Sequence, residues 1–327
     1  MDSFNILFTS AGRRVALIRH FKDTLKALSL DGIIVTTDLQ PHAPAVFSGD
    51  HYELVPRVTD SGYIPLLLEI CKKYEIRLLI PLIDTELLLL SENRHLFEEI
   101  GVVALVCSPE ANRICRDKNK TASFFHSIGI ETPVIYEFEK VFDDKDVSYP
   151  LFVKPFDGSC SVGAEVANSP FELELCLSRT KNSIIQEYVE GEEYTVDVLV
   201  DFDGCVRSVV PRLRLETRTG EVCKGITVKN AAIIDSTKHV AELLPGALGC
   251  LTIQCFLTPD GGLKFIEINP RFGGGFPLSL AAGADFPRWI IEMMGGKDPE
   301  IVLDGWQDGV VMLRYDDAVF TTRDKIE

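Results

Sequence analysis

The sequence predicts two architectures in one chain: an α/β domain on a parallel sheet, then an α+β region with mostly antiparallel sheets. Over residues 1–110, short apolar runs alternate with stretches whose apolar residues recur at helical spacing, the pattern of strand–helix–strand units on a covered parallel sheet. Beyond residue 110, strand-like runs dominate and helices only interrupt them. The 327 residues, 46% hydrophobic and 25% charged, suit an ordinary globular protein of two or three domains.

Residues 5–9 (NILFT) read as a short apolar strand, followed by a turn at Ser10-Ala11-Gly12-Arg13-Arg14. Ile18, Phe21, Leu25 and Leu28 then mark a helix. A second strand over residues 33–37 ends at Asp38. Residues 66–74 read as helix, 78–83 as strand, 86–100 as helix and 102–107 as strand, which makes the first 110 residues a Rossmann-like domain. A helix over residues 112–127 opens the second part. Strands follow at 151–154, 184–189, 194–200, 206–215 and 251–256, with helices at 171–178 and 236–244. The polar stretch 143–146 reads as a solvated loop, and no internal repeat is present.

Charge and cysteine usage narrow the function. A formal net charge of −16 is wrong for a general nucleic-acid binder, whose affinity rests on Lys and Arg neutralising phosphates. Any polyanion must be held by a few locally placed cations. The nine cysteines form no C-x-x-C pair and no zinc-spaced cluster. Cys250 and Cys255 lie in apolar runs, which suits reduced core thiols and a cytoplasmic location. The first residues lack a signal-peptide pattern. No apolar run approaches the roughly 20 residues that span a bilayer, so no membrane partner is expected.

Four segments carry chemistry. The first is Phe265-Ile266-Glu267-Ile268-Asn269-Pro270-Arg271-Phe272-Gly273-Gly274-Gly275, a strand running into a glycine-rich turn. Strand alternation puts Phe265, Glu267 and Asn269 on one face and Ile266 and Ile268 on the other. Oxygen ligands beside a guanidinium suit Mg²⁺ holding phosphate, whereas the bland reading is a polar strand end before a turn. The second is Val153-Lys154-Pro155 running into a loop with Ser159 and Ser161, whose small residues let backbone N–H groups approach phosphate. It is not the Walker loop, because Lys154 precedes the glycines. The third is Gln186-Glu187-Tyr188-Val189, followed past Gly191 by Glu193. Its strand-edge backbone can read an adenine edge, and Glu193 can accept from ribose hydroxyls. The fourth is Asp117-Lys118 on the helix entering the second part, where Lys118 would be a second phosphate cation.

In this order and spacing the four segments resemble the ATP-grasp superfamily, over nearly the whole chain, and look most like its carbamoyl-phosphate-synthase-like single-chain branch. The resemblance implies a Rossmann-like pre-ATP-grasp domain over residues 1–110, a lid subdomain with its leading helix over 111–190 and a catalytic subdomain over 191–327. It implies ATP between lid and catalytic sheets. Lys118 and Lys154 would hold its phosphates, Gln186, Glu187, Tyr188 and Val189 its adenine, and Glu193 its ribose. Glu267 and Asn269 would ligate Mg²⁺, and Arg271 would steady the transferred phosphoryl group. Many members place an acidic metal ligand on the preceding strand, where this chain offers Gln254, as the carbamoyl-phosphate-synthase-like branch does.

The implied activity is carboxylate–amine ligation through an acyl phosphate, with small acid and amine substrates and often a homodimeric assembly. Arg212, Arg214, Arg218, Lys224 and Lys229 crowd one segment of an acidic chain. Arg212 and Arg214 share a strand face, and with Lys224 they are candidates for the acyl phosphate or an acidic substrate. Gly12-Arg13-Arg14 and Asp84-Thr85-Glu86 end N-terminal strands, where ligands of open sheets gather, and Asp84 or Glu86 could pair with an amine. Phosphorylation of a carboxylate or carbamate without ligation, and a non-catalytic nucleotide-binding module, are the rivals. A nicotinamide oxidoreductase is rejected because the first turn is not G-x-G-x-x-G.

Overall fold

The computed structural model describes residues 3–138, 140–142, 147–156, 163–180 and 182–326. Strands β1 (Asn5–Thr9), β2 (Ile34–Asp38), β3 (His51–Leu54), β4 (Ile76–Pro81) and β5 (Val103–Ala104) form a parallel sheet in the order β3-β2-β1-β4-β5. Helices α1 (Val15–Ala27), α2 (Tyr63–Lys73), α3 (Asp84–Glu92) and α4 (Arg94–Glu98) connect it. Alternation along β1 divides the core: Ile6 and Phe8 pack with Ile18 and Phe21 of α1, and Leu7 packs with Leu67 and Ile70 of α2. That is why Ile6, Leu7 and Phe8 form an unbroken apolar run in the strand.

The helix expected over 86–100 is two helices. They break at Asn93, whose side-chain amide donates to the Leu89 carbonyl at 2.9 Å and competes with the helix ladder. The expected strand over 102–107 pairs only at β5. Strand β3, half-exposed and only partly apolar, carried no sequence signal.

The helix expected over 112–127 is likewise two, α5 (Pro109–Arg116) and α6 (Lys118–Ser127). Asp117 between them is extended, and its carboxylate caps α6 by accepting from the Asn119 N–H at 2.9 Å. A four-stranded antiparallel sheet follows, β6 (Ile135–Tyr136), β7 (Leu151–Pro155), β8 (Glu165–Ala167) and β9 (Ser183–Glu187), in the order β6-β9-β7-β8 with α7 (Pro170–Arg179).

The third sheet is antiparallel with six strands: β10 (Glu192–Val200), β11 (Val206–Arg218), β12 (Glu221–Thr227), β13 (Gly249–Leu257), β14 (Leu263–Asn269) and β15 (Val311–Leu313). Their order is β14-β13-β10-β11-β12-β15. Helices α8 (Ala231–Leu243), α9 (Pro277–Ala281) and α10 (Phe286–Met294) complete the fold. A run of edge-on aromatic contacts joins the first sheet to the end of β14. Phe8 meets Phe21 at 5.1 Å, Phe21 meets Phe272 at 6.0 Å, and Phe272 meets Phe276 at 4.8 Å. Each such pair contributes about 0.5–1.5 kcal/mol beyond its buried area. The glycine-rich turn is thereby fixed against the N-terminal domain.

Candidate active site

Residues from the four-stranded and six-stranded sheets line one cleft of about 560 Å³. Lys118, Lys154, Gln186, Glu187, Tyr188, Val189, Glu193, Arg212, Gln254, Glu267, Asn269 and Arg271 all stand on its wall. Ser159 and Ser161 lie outside the described residues. Lys224 is not in the lining. Opposite Glu216 on the neighbouring strand, it pairs with that carboxylate at the surface. Arg218 is exposed beside Asp316, and Lys229 sits over the Trp306 ring at 5.4 Å, so only Arg212 and Arg214 of the basic segment reach the cleft.

The wall expected to ligate a metal follows from strand pairing with one irregularity. Glu267 lies opposite Gln254, and Asn269 opposite Thr252. The register then shifts, so that Phe265 pairs with Cys255 and Ile266 is the extra residue. Simple alternation puts Phe265 on the Glu267 face. The bulge instead turns Phe265 into the core and leaves Ile266 beside Glu267 on the cleft. Among the described residues no ion pair or hydrogen bond takes the Glu267 carboxylate. A half-buried carboxylate in this state, on one cleft wall with the Gln254 and Asn269 amides, fits a hard divalent cation whose remaining ligands are water and phosphate.

Lys154 comes from β7 with its ammonium over the Phe152 ring at 5.6 Å. Burial lowers its pKa to about 8; Lys118 pushes the same way, and Glu267 and Glu193 pull back. A half-buried cation with no carboxylate in hydrogen-bond reach among the described residues is a ready site for phosphate. Strand β9 stops at Glu187, short of the expected residue 189, so Tyr188 and Val189 leave the ladder beside the cleft. The Glu187 side chain turns to Lys264, whose ammonium donates at 2.6 Å, and the Glu187 N–H donates to the Val134 carbonyl at 2.8 Å.

The guanidiniums are paired. Arg212, only 1% exposed, donates through Nε and Nη2 to Asp197 at 2.8 and 2.9 Å, and Ser279 Oγ donates to the same carboxylate at 2.6 Å. Its Nη1 is buried without a hydrogen-bond partner. Arg214 pairs with Glu193 and donates to the Gly220 carbonyl at 2.9 Å. Burial raises the Glu193 carboxyl, and Arg214 offsets this only in part. Arg271 Nη2 donates to Asp84 at 2.6 Å. Arg14 Nη1 donates to Glu221 at 3.1 Å, and Arg314 approaches the same carboxylate at 3.4 Å. Burial would raise the Glu221 carboxyl, yet Arg14 and Arg314 hold it below its usual range.

These pairs explain two of the three glycines. A Cβ on Gly274 would lie 2.8 Å from Arg14 Nη1, and one on Gly275 would lie 2.3 Å from Arg212 Nη1. Any side chain there would push the guanidiniums out of place. Glu86 does not meet an amine. It is fully buried and accepts from Tyr63 Oη at 2.6 Å, Ser10 Oγ at 3.0 Å and the Leu82 N–H at 3.0 Å. Asp84 is spent on Arg271. Sequence reasoning missed Asp197, Glu221 and the Asp84–Arg271 pairing; the only sequence signal for the last was that Asp84 ends a strand.

Comparison with known proteins agrees with this geometry. Residues 6–105 match the family model described as PylC-like, N-terminal domain, and residues 179–314 match the one described as ATP-grasp in the biosynthetic pathway with Ter operon. A 3-methyl-D-ornithine–L-lysine ligase of Methanosarcina acetivorans is 33% identical over 174 residues, 52% of this chain and 43% of that protein. A D-alanine–D-alanine ligase of Fusobacterium nucleatum is 29% identical over 177 residues, 50% of this chain and 58% of that protein. The matches thus span about half the length of these curated relatives. The solved ADP complex of N5-carboxyaminoimidazole ribonucleotide synthetase superposes with a TM-score of 0.74 at 17% identity, covering 96% of this chain and 82% of that one. The two family models and the shared architecture give this chain a PylC-like N-terminal domain followed by an ATP-grasp fold.

Proposed function

We propose that this protein is an ATP- and Mg²⁺-dependent carboxylate–amine ligase for a small acid or amino acid, working through an acyl phosphate. The observation that carries the reading is the assembly of Lys118, Lys154, Gln186, Glu193, Glu267, Asn269 and Arg271 in one cleft from both antiparallel sheets. The relatives with ligase names support the same chemistry. In this reading residues 1–110 are the pre-ATP-grasp domain, 111–190 the lid with its leading helix and 191–327 the catalytic subdomain. The eight described cysteines are free, in keeping with a cytoplasmic enzyme, and no described helix is long and apolar enough to cross a membrane. A homodimer is the expected assembly.

The backbone at Gln186 to Val189 reads the adenine, and Glu193 accepts from the ribose. Lys118 and Lys154 hold the phosphates. Glu267, Asn269 and Gln254 hold Mg²⁺, which supplies charge neutralisation when bound. A substrate carboxylate oxygen attacks the γ-phosphorus, the bond to the β-phosphate oxygen breaks, and ADP leaves. Arg271 and Arg212, both on the cleft wall, stabilise the phosphoryl oxygens. An amine nitrogen then attacks the acyl carbon, the carbon–oxygen bond to phosphate breaks, and the amine's proton passes to solvent.

The test is an ADP-release screen over amino acids and small carboxylic acids, each with and without amines and with hydroxylamine as a trap. Acid-dependent ADP release with amide formation is expected. Hydroxamate formation without any amide product would mark a phosphorylating enzyme that does not ligate. Tight ATP binding with no ADP release for any pair would mark a non-catalytic binding module.

A further inference from the structure

We propose that Asp84 is a positioning residue for phosphoryl transfer: it fixes Arg271 over the phosphoryl site from the neighbouring domain. The inference rests on the ligase reading, in which Arg271 meets the transferred group. Asp84 is the first residue of α3, whose N-terminus is locked by the buried Glu86, which accepts from the Leu82 and Ile83 N–H groups at 3.0 and 3.3 Å. Tyr63 Oη and Ser10 Oγ bind Glu86 in turn, so four elements of the N-terminal domain determine where Asp84 stands.

From there Asp84 reaches 187 residues along the chain to Arg271, with Oδ2 accepting from Nη2 at 2.6 Å. Its other oxygen is buried without a hydrogen-bond partner, beside a small cavity that Asn112, Glu267 and Asn269 also line. The ion pair is largely shielded from water, so each partner limits where the other can stand. The contact is end-on, through Nη2, while the guanidinium itself lines the cleft. The alternative is that Asp84 competes with phosphate for Arg271. The two ideas predict opposite signs, because a positioning carboxylate helps the triphosphate bind and a competing one hinders it.

The experiment compares binding of MgADP and of the magnesium complex of a non-hydrolysable ATP analogue, by calorimetry on the full chain. It uses wild type, Asp84→Ala, Asp84→Asn, Arg271→Ala and the Asp84→Ala/Arg271→Ala double variant. Partners that orient a binding residue are typically worth about 10–100-fold. Asp84→Ala is expected to weaken the triphosphate analogue by about that factor and leave MgADP unchanged. The near-isosteric Asp84→Asn should fall between it and wild type, and guards against a folding defect. The double variant should bind no more weakly than Arg271→Ala alone, because Asp84 acts through Arg271. Equal weakening of both nucleotides, tighter binding of the analogue, or additive losses would overturn the proposal. If wild type binds neither nucleotide, the ligase reading falls first and this inference with it.

Discussion

The two walls of the cleft treat charge differently. On the six-stranded wall and the N-terminal turn that meets it, each guanidinium of the cleft lining is bound to a carboxylate: Arg212 to Asp197, Arg214 to Glu193, Arg271 to Asp84 and Arg14, from the N-terminal turn, to Glu221. On the four-stranded wall Lys154 is half-buried against Phe152 with no carboxylate in hydrogen-bond reach among the described residues, and its pKa falls to about 8. The guanidiniums of one wall are neutralised before a ligand arrives, so they keep fixed directions. The other is left in need of an anion, and a nucleotide phosphate supplies it. Arginine suits the first task because its planar fork stays charged and locks onto carboxylates, and lysine suits the second because it is a point charge that responds to its surroundings.

The sharpest break of this contrast is Asp197→Ala. It would leave Arg212 buried, charged and unpaired, and removing one partner of a buried pair costs about 3–5 kcal/mol. Chemical denaturation should show a loss of that size. Replacing Asp197 and Arg212 together by apolar residues of similar volume should restore much of the stability while abolishing acid-dependent ADP release. A well-folded, fully active Asp197→Ala protein would mean that the pair organises nothing.

Next in size is Glu267→Ala, which removes the carboxylate of the proposed metal wall. Loss of one such electrostatic element typically lowers the rate about 10²–10³-fold. The measurement is ADP release across a magnesium titration, and full turnover would sink the metal assignment. Stability should change less than for Asp197→Ala, because no ion pair or hydrogen bond to Glu267 is broken among the described residues and only its longer-range pull on the Lys154 charge is lost. In this Glu267 is the opposite of Asp197.

Much of this contrast was legible along the chain because it rests on local pattern. The apolar runs alternating with helical repeats located the parallel sheet, and alternation on β14 put Glu267 and Asn269 on one face. Three kinds of feature were not legible. The bulge at Ile266 moved Phe265 to the core, since register is set by both strands of a pair. The partners of the guanidiniums are distant: Arg271 finds Asp84 187 residues away, and Arg14 finds Glu221 207 away. Nothing local distinguishes Arg212, sealed in the core wall, from Lys224, which meets solvent beside Glu216. The helix breaks at Asn93 and Asp117 were readable in principle, because both residue types cap helices and compete with helix ladders.

The smallest expected effect is a pH dependence that tests the unpaired wall directly. Protonated Lys154 binds phosphate, and bound phosphate raises its pKa, so nucleotide affinity should hold below pH 8 and decline as the pH rises above about 8. Stability of the nucleotide-free protein should move the other way. Unfolded, Lys154 keeps its proton up to its ordinary pKa of about 10.4, but folded only to about 8. Between those values the unfolded state binds more protons, and folding gains stability as the pH rises. Calorimetric MgADP binding and thermal unfolding between pH 7 and pH 10 would record both slopes. Lys154→Arg should flatten both, since arginine stays protonated throughout. Slopes that persist in that variant would belong to another group, and the contrast between the walls would lose its lysine half.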